Sequence, residues 1–319
     1  MIKVGVSGCD NLRAQELVRV LINHPDVELR WVSSRTGVGA RVDSVVPGLM
    51  GESDLTVVAA GTLDDVDLVF VCGSRDEVAP KLSMLEGRDE VRAIDLSGSH
   101  NVDYGPEQPW KYGLSEMQRR HLVHDTRLVT VPGNVAAASL LALLPLARNL
   151  MLNSPLSLSV QLGVSALPVD GKSADGMTLD EWTADQRREI AYALRQCQSS
   201  FDQPLNLEVK PLDERRMLAV AASFKCAVDG ETLREMYYDQ YYDDHNFVFI
   251  VDRDITAADV ENTNKCLIRL DKDESSGMLT VTAVMDAILK GAAGTAVHAM
   301  NLMFGLHERV GLALKGTGC

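Results

Sequence analysis

The segment Val131-Pro132-Gly133-Asn134-Val135-Ala136-Ala137-Ala138-Ser139 holds the position in this chain best suited to covalent chemistry. A strand that ends in Pro-Gly and opens directly into an apolar helix places one side chain on the first helical turn. There the unpaired N–H groups and the helix dipole favour a thiolate and a developing oxyanion. That side chain is Asn134. An amide has no lone pair basic enough to attack a carbonyl, so a place suited to a nucleophile carries a side chain that cannot act as one. Cys9 and Cys72 lie near strand ends, but neither has a His beside it in sequence. Both read best as buried cysteines that pack as small hydrophobes.

A second stretch, Ser7-Gly8-Cys9-Asp10-Asn11-Leu12-Arg13-Ala14, follows the first strand, where a dinucleotide loop would sit. Such loops use glycines to turn tightly and bring backbone N–H groups to a pyrophosphate. Only Gly8 is present, with Asn11 (which tolerates the left-handed conformation) and Ala14 at the other two places. Asp10 can cap the helix itself, and it repels a phosphate. Two readings stand: a weakened cofactor loop using Gly8 and Asn11, or a self-capped strand-to-helix turn. Beyond the second strand, Ser34 and Arg35 suit the 2′-phosphate of NADP, or simply form a solvated strand end.

Positioning these groups takes a particular set of elements. Strand signals at 2–7, 27–33, 68–72, 93–96 and 128–131 alternate with helical periodicity, which predicts a Rossmann-type doubly wound parallel sheet. From 136 the pattern changes to a long apolar helix, a strand at 156–162, an amphipathic helix at 179–197 and alternating strands at 206–210, 217–226, 247–251, 266–270 and 278–284. That run predicts an α+β second domain with a large mixed or antiparallel sheet. The stretch 168–176 reads as a loop, and 291–304 as a closing helix rich in alanine. We expect a nucleotide domain of residues 1–132 completed by 290–319, and a catalytic and dimerisation domain of 133–289.

With 319 residues, 46% hydrophobic content and a net charge of −14, the chain has the composition of a globular protein without a general nucleic-acid or anionic-membrane partner. The six cysteines form no Cys-x-x-Cys pair and the strand starts at once after Met1, so we expect a cytoplasmic protein without a signal peptide. His121 and His124 share helical spacing but read as a solvated segment, so no metal site is expected. Tyr237, Tyr238, Tyr241 and Tyr242 read as covering a core edge.

Four segments carry a family resemblance: Lys290-Gly291-Ala292-Ala293-Gly294-Thr295-Ala296-Val297-His298-Ala299-Met300-Asn301, Tyr112-Gly113-Leu114-Ser115-Glu116, Ile94-Asp95-Leu96-Ser97 and Asn262-Thr263-Asn264-Lys265-Cys266. Together they resemble the N-acetyl-γ-glutamyl-phosphate reductases of the aspartate-semialdehyde dehydrogenase superfamily, over nearly the whole chain. The resemblance implies arginine biosynthesis and NADP as cofactor, with a Cys attacking an acyl phosphate, a thioester reduced by hydride and a His moving a proton. It places the Cys at Asn134 and the His at Gln186, with Glu189 and Ile190 matching beyond it. Arg216 and Ser165 fall on its substrate-binding positions, and Ser97 joins Gly8, Asn11, Ser34 and Arg35 on the cofactor side.

Loss of the nucleophile, the base and two loop glycines favours a degenerate paralogue in which acyl-phosphate reduction is absent or very slow. Such a protein would bind a small molecule, as a homo-oligomer or in a mixed oligomer with an active paralogue. Two alternatives remain: an active NADP-dependent reductase of the family substrate, and direct hydride transfer to a ketone or imine without a thioester.

Overall fold

The computed structural model describes residues 1–123, 126–167, 177–241 and 247–316. The chain divides into two compact units, one holding Met1–Pro132 with Ala292–Ala313, the other lying between Gly133 and Gly291 with a short piece from Leu314.

The first unit is α/β. Its elements run β1 (Ile2–Ser7), α1 (Leu12–Ile22), β2 (Val27–Ser33), α2 (Val42–Val45), β3 (Leu68–Val71), α3 (Arg75–Glu86), β4 (Arg92–Asp95), β5 (Trp110–Tyr112), α4 (Ser115–Val123) and β6 (Leu128–Thr130). The six strands form one sheet in the order β2-β1-β3-β4-β6-β5, and every pairing is parallel. Both faces of the inner strands are covered, which is why Leu68–Val71 is an unbroken apolar run with every residue buried. The chain leaves β1 for β2 on one side and for β3 on the other. The loop after β1 therefore stands at the switch point where open α/β sheets hold ligands.

The second unit begins at the apolar helix α5 (Asn134–Arg148) and continues with β7 (Leu156–Gly163), α6 (Leu179–Cys197), β8 (Leu205–Leu212), β9 (Met217–Lys225), α7 (Gly230–Tyr241), β10 (Val248–Ile250), α8 (Ala257–Val260), β11 (Cys266–Asp273) and β12 (Met278–Asp286). Its sheet, ordered β10-β11-β12-β9-β7-β8, is mixed: the β10–β11 and β7–β8 pairings at its edges are parallel, and the three inner pairings are antiparallel. The alternation of β7, buried at Leu156, Leu158 and Val160 and exposed between them, comes from one covered face and one open face. The final helix is shorter than expected. Leu289–Ala293 is a π-helical turn, and α9 (Gly294–Met303) follows within the first unit.

Within the second unit α5 packs against α6, β9 and β12 and is buried from Val135 to Ala147. Pro145 inside it has no N–H, so the carbonyl of Leu141 loses its helical partner. The Tyr241 hydroxyl donates to that carbonyl at 2.6 Å, and the Tyr237 hydroxyl donates to the next one, that of Ala142. These two tyrosines are core residues, whereas Tyr238 is exposed and does not cover the core edge expected of it. Tyr242, His124 and the 168–176 stretch lie outside the described residues. Orphaning a buried carbonyl costs about 1–3 kcal/mol. Tyr241→Phe, which keeps the ring, is therefore expected to lower unfolding free energy by about that amount in denaturant titrations, with an unchanged m-value.

Candidate functional site

Gly133 is the extended N-cap of α5 and has no side chain with which to cap it. Two N–H groups at this start find acceptors on α6. Glu189 Oε1 accepts from the Gly133 N–H at 3.0 Å, and Gln186 Oε1 accepts from the Ala136 N–H at 3.1 Å. Asn134 folds back so that its own Oδ1 accepts from the Val135 N–H at 2.8 Å. The first bond within the helix runs from Ala137 N–H to the Gly133 carbonyl. Gln186 and Glu189 reach the same place because they lie three apart on α6, on one helical face. The start of α6 is set by a capping box between Thr178 and Glu181. Gln186 and Glu189 are buried, and a Cβ at Gly133 would stand 2.3 Å from Gln186 Nε2, so a larger residue there would push the amide aside.

The N–H groups of Gly133, Val135 and Ala136 are thus engaged by a carboxylate and two amides. Neither Asn134 nor Gln186 can attack a carbonyl, and neither titrates. Asn134 also adjoins the π-helical turn, where a Cβ at Gly291 would stand 2.8 Å from its Cβ.

Arg216, expected on the substrate side, precedes β9. Its guanidinium makes a two-point ion pair with Asp286, Nε to Oδ2 at 2.8 Å and NH2 to Oδ1 at 3.2 Å. Asp286 is fully buried and also accepts from the N–H groups of Asn262, Ile288 and Leu289, so it fixes the π-helical turn as well. Sequence reasoning missed this residue. Its signal was an acid closing the apolar strand Val281–Asp286, where an unpaired charge could not stay. Ser165 sits in a single 3₁₀ turn after β7, and its N–H donates to the Arg215 carbonyl. No contact joins Ser165 to Asn134 or Gln186 among the described bonds.

The loop of the first unit departs from expectation at Asp10. The cap of α1 is Asn11, in an extended conformation rather than a left-handed one, with its side chain accepting from the Ala14 N–H at 3.0 Å. Asp10 turns instead toward the end of β2. It accepts from the Ser34 hydroxyl at 2.7 Å, from the Arg35 N–H at 3.1 Å and from the Thr36 hydroxyl at 3.3 Å. Burial pushes its carboxyl up, but Ser34, Arg35 and Thr36 outweigh that and hold it below the ordinary carboxylate range. The Arg35 guanidinium pairs with Glu77 and lies 3.6 Å from Asp10.

Gly8 is required at its place: its φ is +87°, and a Cβ there would strike the Cys72 carbonyl. The Gly8 and Cys9 N–H groups both donate to the Ser33 carbonyl. Ser97 forms its own turn on Asp95, accepting and donating within two residues. Burial pushes the Cys9 thiol up to about 12 and raises that of Cys72 as well, so neither supplies a thiolate near neutrality. His121 is exposed, and no group of three or more metal-ligating residues gathers among the described residues. None of the described helices is long and apolar enough to cross a membrane.

Residues 3–124 match the family model described as the semialdehyde dehydrogenase NAD-binding domain, and residues 186–287 match its dimerisation domain. Proteins named N-acetyl-γ-glutamyl-phosphate reductase from Parabacteroides distasonis and Phocaeicola vulgatus are each 36% identical over 99% of both chains. One from Christiangramia forsetii is 30% identical with the same coverage. In fold, the chain is similar to aspartate semialdehyde dehydrogenase II from Vibrio cholerae, complexed with ASA, at TM-score 0.73 and 14% identity over 96% of this chain and 98% of that one. It is equally similar to the aspartate semialdehyde dehydrogenase with NADP from Candida albicans, at TM-score 0.73 and 12% identity over 95% and 98%.

Breaking a buried ion pair from one side costs about 3–5 kcal/mol. Asp286→Ala is expected to destabilise the protein by at least that much in thermal or chemical unfolding, because three N–H groups lose their acceptor along with Arg216.

Proposed function

Because the chain belongs to the N-acetyl-γ-glutamyl-phosphate reductase family, we propose that it is a degenerate member, one that keeps the fold and the nucleotide-binding domain but has lost acyl-phosphate reduction through a thioester. The observation that carries this reading is the closed N-terminus of α5. Asn134 and Gln186 occupy the nucleophile and base positions, and both hold backbone N–H groups of the first turn. A thioester route needs an attacking thiolate, a proton carrier and donors for the developing oxyanion. The first two residue types are missing, and two of the first-turn donors, the Val135 and Ala136 N–H groups, are engaged.

Arg216 supports the same conclusion. Its pairing with Asp286 neutralises the charge that would recognise an anionic substrate. The role left to the protein is binding of a small metabolite or nucleotide in a homo-oligomer, or in a mixed oligomer with an active paralogue. The match of its second domain to a family dimerisation domain supports assembly.

A second reading draws on one observation. The capping bonds use the amide oxygens of Asn134 and Gln186 and leave both nitrogens as donors for a carbonyl oxygen. That arrangement suits reduction of a ketone or imine without a covalent intermediate.

The test is turnover of N-acetyl-γ-glutamyl phosphate with NADPH and with NADH, beside a cysteine-bearing relative. The expected rate is at least about 10⁴-fold below the relative's, as for enzymes stripped of nucleophile and base. The double variant Asn134→Cys, Gln186→His is expected to raise it by about 10²-fold, the lower range for a restored acid–base pair. Wild-type turnover within about ten-fold of the relative's would overturn the proposal. Turnover of ketones or imines alone would favour the second reading.

A further inference from the structure

We propose that Asp10 sets the coenzyme preference of the first unit: its carboxylate occupies the donors that a 2′-phosphate would need, so the unit favours a dinucleotide whose adenosine ribose carries a free 2′-hydroxyl. The proposal rests on this unit's binding a dinucleotide and is independent of the fate of the acyl chemistry in the second unit.

The end of the second strand in a doubly wound sheet is where the adenosine ribose is read. An acid there accepts from the 2′-hydroxyl, while an Arg with hydroxyls holds a 2′-phosphate. The sequence at this place, Ser34-Arg35-Thr36, has the second composition, yet the structure fills it from within. One carboxylate oxygen of Asp10 accepts from the Ser34 hydroxyl at 2.7 Å, the Arg35 N–H at 3.1 Å and the Thr36 hydroxyl at 3.3 Å. The other accepts from the same N–H at 3.3 Å and lies 3.6 Å from Arg35 Nε. These are two hydroxyls, a backbone amide and a guanidinium edge, the donor set that recognises a phosphate.

Helix capping does not explain Asp10, since Asn11 already caps α1. Nor is Arg35 left as a counter-charge. Its guanidinium is bound by Glu77, which in turn is held by the Ser74 N–H at the start of α3. A 2′-phosphate would therefore meet two carboxylates and one guanidinium that both of them engage. It would bring about two negative charges of its own and would have to displace Asp10 from every donor. A ribose hydroxyl needs no such displacement, because it donates to a carboxylate oxygen as the Ser34 and Thr36 hydroxyls do.

The test is the ratio of NADPH to NADH affinity, measured calorimetrically on the full-length protein and on Asp10→Asn and Asp10→Ser, with thermal unfolding of each as a check on folding. Asp10→Asn keeps an acceptor for Ser34 and Arg35 and removes the charge; Asp10→Ser removes the charge and leaves only a shorter hydroxyl. Wild type is expected to bind NADH at least about ten-fold more tightly than NADPH. The ratio should move toward NADPH in Asp10→Asn, and by about ten-fold or more in Asp10→Ser. A purely structural role in the turn would weaken both coenzymes alike and leave the ratio unchanged, which overturns the proposal. Wild-type preference for NADPH overturns it too. So does the absence of binding of either coenzyme to all three proteins at millimolar concentration, a result that leaves the conclusion about Asn134 and Gln186 untouched.

Discussion

A helix that starts at Gly133 brings several backbone N–H groups to one point inside the second unit, and buried donors must have acceptors. An enzyme of this fold could leave those donors for an oxyanion and place a thiolate in their field. Here the acceptors are Glu189, Gln186 and Asn134, all supplied by the chain itself. The rest of the unit is arranged around that start. The α6 capping box sets where Gln186 and Glu189 fall, Tyr241 of α7 satisfies the carbonyl that Pro145 leaves short, and Asp286 holds the π-helical turn whose Gly291 lies against Asn134. Asn134 and Gln186 are therefore part of the fold itself, because both bind backbone N–H groups at the α5 start.

The same substitution of side chain for ligand recurs in the first unit. The Ser34-Arg35-Thr36 turn has the donors of an anion site, and Asp10 is the anion. Both cases follow from one rule: a cluster of donors in a protected place is costly when empty, and a short polar side chain can fill it more cheaply than a ligand present only part of the time.

Much of this architecture was legible in the sequence because it depends on local pattern. The unbroken apolar run at 68–71 could only be a doubly covered strand, and the α6 helix occupies the 179–197 range that its amphipathic period marked. The position of Asn134 on a first helical turn followed from Pro-Gly and the alanines after it. What stayed hidden depends on partners far along the chain. Asp10 meets Ser34 at a separation of 24 residues and Asp286 meets Arg216 at 70, and no periodicity reports either pairing. The strand Trp110–Tyr112 is three residues long and follows a polar, proline-containing stretch, so it carried no strand signal of its own. Gln186 could be set at the histidine position only through the family resemblance. That it caps another helix follows only from the packing of α6 on α5.

The central claim is that the α5 N-terminus has become a cap and can no longer take an acyl group. Intact-mass spectrometry of the purified protein after incubation with N-acetyl-γ-glutamyl phosphate, with the coenzyme left out so that no reduction can consume an intermediate, tests this most directly. The expected result is an unmodified chain under conditions that acylate a cysteine-bearing relative. An added acyl mass on any side chain of the protein, at a yield like that of the relative, would contradict the account.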